Sequence, residues 1–388
     1  MTTSLPLPRP STPPGKAPAP PAPTLPGEAA ASPVAVAPAD SGVSELAARR
    51  ILSVAEARLS ASPGADGRRA VAEGRDAFRR ILRGEDSRAV VIAGPCSIHD
   101  PDAALEYAAR LRALAERVSD RVLVLMRVYF EKPRTHIGWK GLVNDPHLDA
   151  SHALDDGILL ARRLLSEISA MCLPAATEFL DPLVAVYLAD LVSWAAIGAR
   201  TTESQIHRQL ASSLPMPVGF KNGTDGGVDI ALNALRSARE PHAFLGIDEE
   251  GRAGIVRSRG NPDTHVVLRG AGNADRWRAN YHREDLDAVE ARLAAAGLPS
   301  RVLIDCSHAN SGYDHRRQAL VVDDWLARRR RGEAASAFGV MLESNLEEGR
   351  QAFAPRNRLR PGTSVTDACI GWPETESLIL RIHDELRP

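Results

Sequence analysis

Eight short apolar runs are spread along this chain, and each carries, within two residues of its end, a side chain able to hold a metal or an anion. In order they are AVVIAGPCS with Cys96, VLVLMRV with Arg127, LPAATEF with Glu178, WAAIGAR with Arg200, PVGFK with Lys221, THVVLR with Arg269, RVLIDCSH with His308 and FGVMLES with Glu343. Helical patterns lie between them. In Ala103 to Val118, residues Leu105, Ala108, Ala109, Leu111 and Leu114 fall on one face, and similar patterns cover Asp155 to Ile168, Pro182 to Trp194, Thr201 to Leu214 and Gly226 to Ala238. Buried strands alternating with helices predict parallel strands joined by crossovers. With chemistry at every strand's C-terminal end, the α/β architecture expected is a (β/α)8 TIM barrel, and the protein an enzyme.

Bulk properties agree without choosing a reaction. A chain of 388 residues with 44% hydrophobic content can bury one core of barrel size, roughly 250 residues, and carry extensions. Its 48 basic residues are balanced by 49 acidic ones, which argues against a nucleic-acid partner. The densest basic run, Arg328 to Arg331, reads as the solvated end of a helix. No apolar stretch approaches the roughly 20 residues that span a bilayer, and the N-terminus lacks the apolar core of a secretory signal, so a cytoplasmic protein is expected. Cys96, Cys172, Cys306 and Cys369 are too scattered for a disulfide framework, and reduced thiols are expected.

The first 40 residues hold 12 of the 28 prolines and nine alanines, a composition that cannot bury enough apolar surface to offset the entropy of ordering. Residues 1–40 are therefore read as a disordered tail. Residues 41–85 read as an N-terminal helical extension: Ser44, Glu45 and Leu46 open one segment, and VAEGRDAFRRILRG repeats apolar positions at three and four residues. The barrel should then occupy 86–388. Within it, at about 242–260, the runs AFLGI and AGIVR flank the turn EEGR and predict an inserted β-hairpin on the outside, used for association or regulation.

Two constellations carry chemistry. Cys96, His308 and Glu343 share equivalent strand ends, and Asp367 in TSVTDACIGW offers a further oxygen ligand. Thiolate, imidazole and carboxylate together suit a divalent transition metal, with manganese, iron, cobalt and zinc all left open by the ligand types. Arg127, Lys132, Arg200, Lys221 and Arg269 put five positive charges at the same mouth. Such a field is costly unless anions fill it, and arginine forks match carboxylates and phosphates. Structural bridges from these cations to Glu178 and Asp305 are the competing reading. The loop EKPRTHIGWKG adds Pro133, Arg134 and Thr135 beside Lys132, donors enough for a second phosphate.

The motifs GPCSIHD (Gly94 to Asp100), MRVYFEKPRTHIGWKGLVNDP (Met126 to Pro146), GARTTESQIHRQLAS (Gly198 to Ser212), VGFKNGTDG (Val218 to Gly226), IDCSHANS (Ile304 to Ser311), GVMLES (Gly339 to Ser344) and TDACIGW (Thr366 to Trp372) follow one another in order. From about Val71 to the C-terminus the chain resembles the class I 3-deoxy-D-arabino-heptulosonate-7-phosphate synthases, the first enzymes of the shikimate pathway. The resemblance implies a divalent metal on Cys96, His308, Glu343 and Asp367, and phosphoenolpyruvate among Arg127, Lys132, Arg200, Lys221 and Arg269. It places erythrose 4-phosphate on Lys132, Pro133, Arg134 and Thr135, with Asp367 near it. Lys132 is the expected proton donor, with a pure charge clamp as the alternative role, and Glu178 or His308 is expected to position water.

Three other readings stand beside this one: the sister synthase using arabinose 5-phosphate, a metal-binding aldolase or isomerase barrel, and a non-catalytic phosphoenolpyruvate-binding regulator. The KPRT segment and HIGWKG continuation favour the four-carbon sugar. Because Cys369 lies two residues beyond Asp367, a reversible Cys96–Cys369 disulfide in the metal-free enzyme is a further expectation. Relatives are often inhibited by an aromatic amino acid, but ILSVAEARLSASP lacks the Leu-Pro-Pro run many of them carry. Ala185, Pro215 and Gly246 stand where sensitive relatives often have a proline and two serines, so altered or absent feedback is expected. A homodimer or homotetramer is implied by resemblance. Two departures, the longer GAGNADRWRANYHRE loop after Arg269 and Pro361 before GTSVTD, fall outside the expected ligand set.

Overall fold

The computed structural model describes residues 49–134, 138–333 and 335–386, and residues from Ile51 onward belong to one compact unit. The proline-rich tail, the segment opening at Ser44 and Thr135 lie outside the described residues.

Two helices come first, α1 (Val54–Ser60) and α2 (Ala65–Arg83). Strand and helix then alternate through β1 (Ala89–Gly94), α3 (Pro101–Val118), β2 (Val122–Arg127), α4 (Leu154–Ala170), β3 (Ala175–Glu178), α5 (Pro182–Leu188), β4 (Trp194–Ile197), α6 (Gln205–Ser213), β5 (Val218–Lys221) and α7 (Asp229–Arg239). Next is the hairpin of β6 (Ala243–Ile247) and β7 (Ala253–Arg257), followed by β8 (Thr264–Leu268) and a short ladder of β9 (Ala271–Gly272) and β10 (Trp277–Arg278). The chain ends with α8 (Arg283–Ala295), β11 (Val302–Asp305), α9 (Gln318–Arg330), β12 (Ala337–Glu343) and α10 (Trp372–Glu385).

Eight parallel strands close into a barrel in the order β1-β12-β11-β8-β5-β4-β3-β2. They are the eight apolar runs of the sequence. Every residue of β1 is buried, as a strand enclosed on both faces requires. Val90 and Ile92 face the barrel interior with Leu125, Ala176, Val267, Leu303 and Met341, while Ala89, Val91 and Ala93 pack outward against the helices. The hairpin β6–β7 forms a separate antiparallel sheet with Leu245 paired to Ile255.

The helical extension closes the barrel floor. Phe78, Ile81 and Leu82 of α2 join the interior cluster, where Phe78 stacks on Trp194 and meets His265 and Phe338. Gly84 ends α2 in the left-handed region, φ 76°, and its N–H donates to the carbonyls of Arg80 and Ile81. At the other end of the extension, Ser53 and Glu56 cap α1 reciprocally, and Ala55 N–H donates to Glu249 O of the hairpin turn at 2.9 Å.

Two expectations are corrected. The helix expected over Pro182 to Trp194 stops at Leu188, with a 3-10 turn to Leu191, because Trp194 is drawn into the barrel floor as the first residue of β4. The Arg328 to Arg331 run does end a helix, yet Arg328 is buried and paired with Asp324 at 2.8 Å, and Arg329 lies over the Trp325 ring at 5.4 Å. Long arginine stems cover apolar surface, so only the end of the run is a solvated face.

Candidate active site

The C-terminal ends of the strands meet in a cavity of about 360 Å³ lined by Arg127, Lys132, Pro133, Arg134, Glu178, Arg200, Lys221, Arg269, His308 and Asp367, among others. Barrel closure makes this convergence possible. Arg127, Glu178, Lys221 and Glu343 are the last residues of β2, β3, β5 and β12, and Cys96, Arg200, Arg269 and His308 follow within three residues of theirs.

Beneath the mouth, ligand atoms of Cys96, Glu343 and Asp367 lie within 4.8 Å of one another. His308 adjoins this group with Nε2 3.9 Å from Glu343 Oε1. The Cys96 thiol donates to Asp367 Oδ2 at 3.4 Å, and Lys132 Nζ lies 3.0 Å from Cys96 Sγ and 3.1 Å from its carbonyl. Burial, reinforced by Glu343, pushes the Cys96 thiol up to about 12 despite Lys132. Burial also opposes charge on Asp367, but Lys132, His308, the Cys96 hydrogen bond and Arg127 bring its carboxyl down to about 2. A soft thiol that only a cation would ionise, set among carboxylates and an imidazole, fits a divalent transition metal. Cys369 is buried nearby, and all four cysteines are free thiols.

His308 is oriented from behind. Its backbone adopts the left-handed region, φ 55°, uncommon for a residue with a Cβ, and its Nδ1 lies 3.0 Å from Asp305 Oδ2 and 2.9 Å from Ser307 Oγ. A carboxylate at Nδ1 selects the tautomer that leaves Nε2 free toward Glu343. Asp305 also meets Lys221 Nζ at 3.1 Å. Burial would neutralise this acid, but Lys221 and His308 hold its carboxyl well below the usual range.

The cations are braced unequally. Arg127 is fully buried: Nη2 meets Glu343 Oε1 at 2.8 Å, and Nε donates to Pro95 O at 3.1 Å. Lys221 approaches Glu178 Oε2 at 3.8 Å as well as Asp305, so the ion pairs to Glu178 and Asp305 exist inside the mouth itself. Arg269 donates through Nη2 to Tyr313 Oη at 3.3 Å, while its buried Nη1 has no partner among the described residues. Arg200 and Arg134 are exposed at the rim. A buried guanidinium nitrogen without a partner, in a mouth this cationic, is what an anion would complete.

Several residues of the site had no individual role in the sequence reading. Tyr313 joins Arg269 to the long loop after it, donating to Gly272 O at 2.6 Å. Asn222 Oδ1 accepts from Arg269 N at 2.9 Å and from Asn280 Nδ2 at 3.2 Å, and Asn280 N donates to Asn310 Oδ1 at 2.9 Å. These three buried asparagines join the ends of β5, β8 and β11. Asn222 and Asn310 stand inside the motifs FKNG and HANS, a usable signal, whereas Asn280 lies in the divergent loop and had none. Glu131 is buried with both carboxyl oxygens on the amides of Leu180 and Asp181, at 3.2 Å each.

The fold and this mouth define a (β/α)8 barrel of the enzyme kind, with a cationic cavity beside a candidate metal site. Residues 60–380 match the model of the DAHP synthetase I family, and the chain belongs to that family. It is 52% identical over 300 residues to the Tyr-sensitive phospho-2-dehydro-3-deoxyheptonate aldolase of Escherichia coli, covering 77% of this chain and 83% of the relative. The Phe-sensitive enzyme of the same organism is 50% identical over 300 residues, with 77% and 84% covered. Among solved structures, the phospho-2-dehydro-3-deoxyheptonate aldolase of Francisella tularensis superposes with a TM-score of 0.83 at 42% identity, covering 87% of this chain and 97% of that one.

Proposed function

We propose that this chain condenses phosphoenolpyruvate with D-erythrose 4-phosphate and water to give 3-deoxy-D-arabino-heptulosonate 7-phosphate and phosphate, opening the shikimate pathway. The observation that carries the reading is the meeting of five cations, Arg127, Lys132, Arg200, Lys221 and Arg269, in one mouth above Cys96, Glu343 and Asp367. In this reading Arg127, Arg200, Lys221 and Arg269 take the carboxylate and phosphate of phosphoenolpyruvate, with Arg269 Nη1 supplying an unused donor. Arg134 and Pro133 at the rim would receive erythrose 4-phosphate, together with Thr135. C3 of phosphoenolpyruvate attacks the aldehyde carbon, water adds at C2, and phosphate leaves with C–O cleavage.

Lys132, close to Cys96 Sγ and kept charged beyond the usual lysine range by Cys96, Glu343 and Asp367 against its burial, would deliver a proton to the new alkoxide. Glu178 or His308 would orient the water. Cys96, His308, Glu343 and Asp367 would hold the divalent ion, for which manganese is the first candidate, and that ion would supply Lewis acidity toward the aldehyde. Steady-state phosphate release with erythrose 4-phosphate against arabinose 5-phosphate tests the assignment. Turnover restricted to the five-carbon sugar, or no phosphate release with either, would overturn it.

Aromatic amino acids are the effector class that the relatives' names point to, and altered feedback is the reading for this chain. Ala185 lies in α5, Pro215 precedes β5 and Gly246 lies in β6, so none of the three positions offers a side-chain hydroxyl or any other side-chain donor. Strong inhibition by phenylalanine, tyrosine or tryptophan at physiological concentration would refute this. Self-association into a homodimer or homotetramer would cover Leu245 and Ile255, which are 79% and 74% exposed on the hairpin. Among the described residues no helix is long and apolar enough to cross a membrane.

A further inference from the structure

Three of the five cations surround one aromatic ring. Tyr129 follows Arg127 by two residues along the continuation of β2 and is fully buried. The guanidinium carbon of Arg127 lies 3.5 Å from its ring centroid, with Lys221 Nζ at 5.9 Å and Lys132 Nζ at 6.0 Å. All three fall within the roughly 6 Å over which a ring face attracts a cation. Among the described residues the Tyr129 hydroxyl's one hydrogen-bond partner is a sulfur, Met341 Sδ at 3.8 Å, so the cations meet the ring rather than the hydroxyl. Burial pushes the phenol's ionisation upward, and the group stays neutral.

We propose that Tyr129 is a positioning residue for phosphoenolpyruvate: its ring face holds Arg127, Lys132 and Lys221 together in the mouth without occupying their anion-binding edges. Like charges packed this closely repel, and repulsion is stronger where water is excluded. A carboxylate at position 129 would relieve the repulsion but compete with the substrate's own anionic groups. An aliphatic side chain would leave its relief to Glu343, Glu178 and Asp305 alone. An aromatic face contributes partial negative charge with no formal charge, and Arg127 uses both surfaces of its fork: the face on Tyr129 and the edge on Glu343.

The inference rests on the phosphoenolpyruvate reading above, so its test includes direct binding of phosphoenolpyruvate by calorimetry alongside turnover. The proteins compared are the unaltered chain, Tyr129→Phe, Tyr129→Leu, and a series with mono-, di- and trifluorinated phenylalanine incorporated at position 129. Fluorination drains the ring face while keeping its shape, which separates electrostatics from packing. Tyr129→Phe is expected to keep the Kd and KM for phosphoenolpyruvate within about twofold, and the fluorinated series to raise both stepwise to about tenfold. Throughout that series kcat and the unfolding temperature should stay nearly constant. A Kd flat across the fluorinated series, or Tyr129→Leu matching Tyr129→Phe, would overturn the proposal. Absence of turnover with normal, fluorine-sensitive binding would instead count against the proposed reaction alone.

Discussion

His308 Nδ1 lies 3.0 Å from Asp305 Oδ2, and this contact turns the imidazole so that Nε2 faces Glu343. The same carboxylate holds Lys221 at 3.1 Å, so one buried acid orients a candidate metal ligand and a candidate phosphoenolpyruvate ligand. Asp305→Asn keeps the shape but removes the charge. It should lower affinity for the divalent ion by about 10–100-fold, the usual effect of losing such a support, and raise the KM for phosphoenolpyruvate. Metal titration and steady-state kinetics on the same preparation check both effects.

Cys96 carries a thiol pushed up to about 12 by burial and Glu343, so binding a divalent ion there must displace a proton. Affinity should therefore rise with pH through the neutral range. Calorimetry in buffers of different ionisation enthalpy should show about one proton released per ion, falling towards zero in Cys96→Ala. Cys96→Ala should fold normally and lose metal-dependent turnover; full activity with stoichiometric metal would remove Cys96 from the ligand set.

Burial raises the Glu131 carboxyl to about 8 against the pull of the Leu180 and Asp181 amides. Its native value lies above the unfolded one, so between about pH 4.5 and 8 the native state binds the extra proton and stability falls as pH rises. Glu131→Gln deletes this titration and one amide contact. The variant should be less stable by about 1 kcal/mol near pH 5, with the gap closing or reversing by pH 8. Urea unfolding at four pH values across that window checks the sign.

Asn222, Asn280 and Asn310 form a buried polar network whose members satisfy one another, which makes any single deletion leave an orphan. Asn222→Ala strands the Arg269 amide and should cost about 1–3 kcal/mol of stability. It should also raise the KM for phosphoenolpyruvate with a smaller effect on kcat. Asn280→Ala, altering the divergent loop, should show the same direction in both measurements.

The positions that end the eight runs were readable because strand burial and the placement of a polar residue at a strand's C-terminal end are local patterns. Cys96, Arg127, Glu178, Lys221 and Glu343 stand out from continuous apolar neighbours in one dimension. Where the local pattern was ambiguous the boundary slipped, as at Trp194, an aromatic equally at home on a helix face or a barrel floor.

Local pattern was enough to read the alternation of strand and helix, the hairpin insertion, and which residue types stand at each strand end. Three relationships emerge only from the closed barrel: Asp305 serves both Lys221 and His308, Asn280 reaches Asn222 across 58 positions, and Tyr129 lies under three cations. The reason is physical: apolar periodicity follows from each segment's own burial, whereas the partner of a polar group is fixed only when barrel closure brings distant strands together.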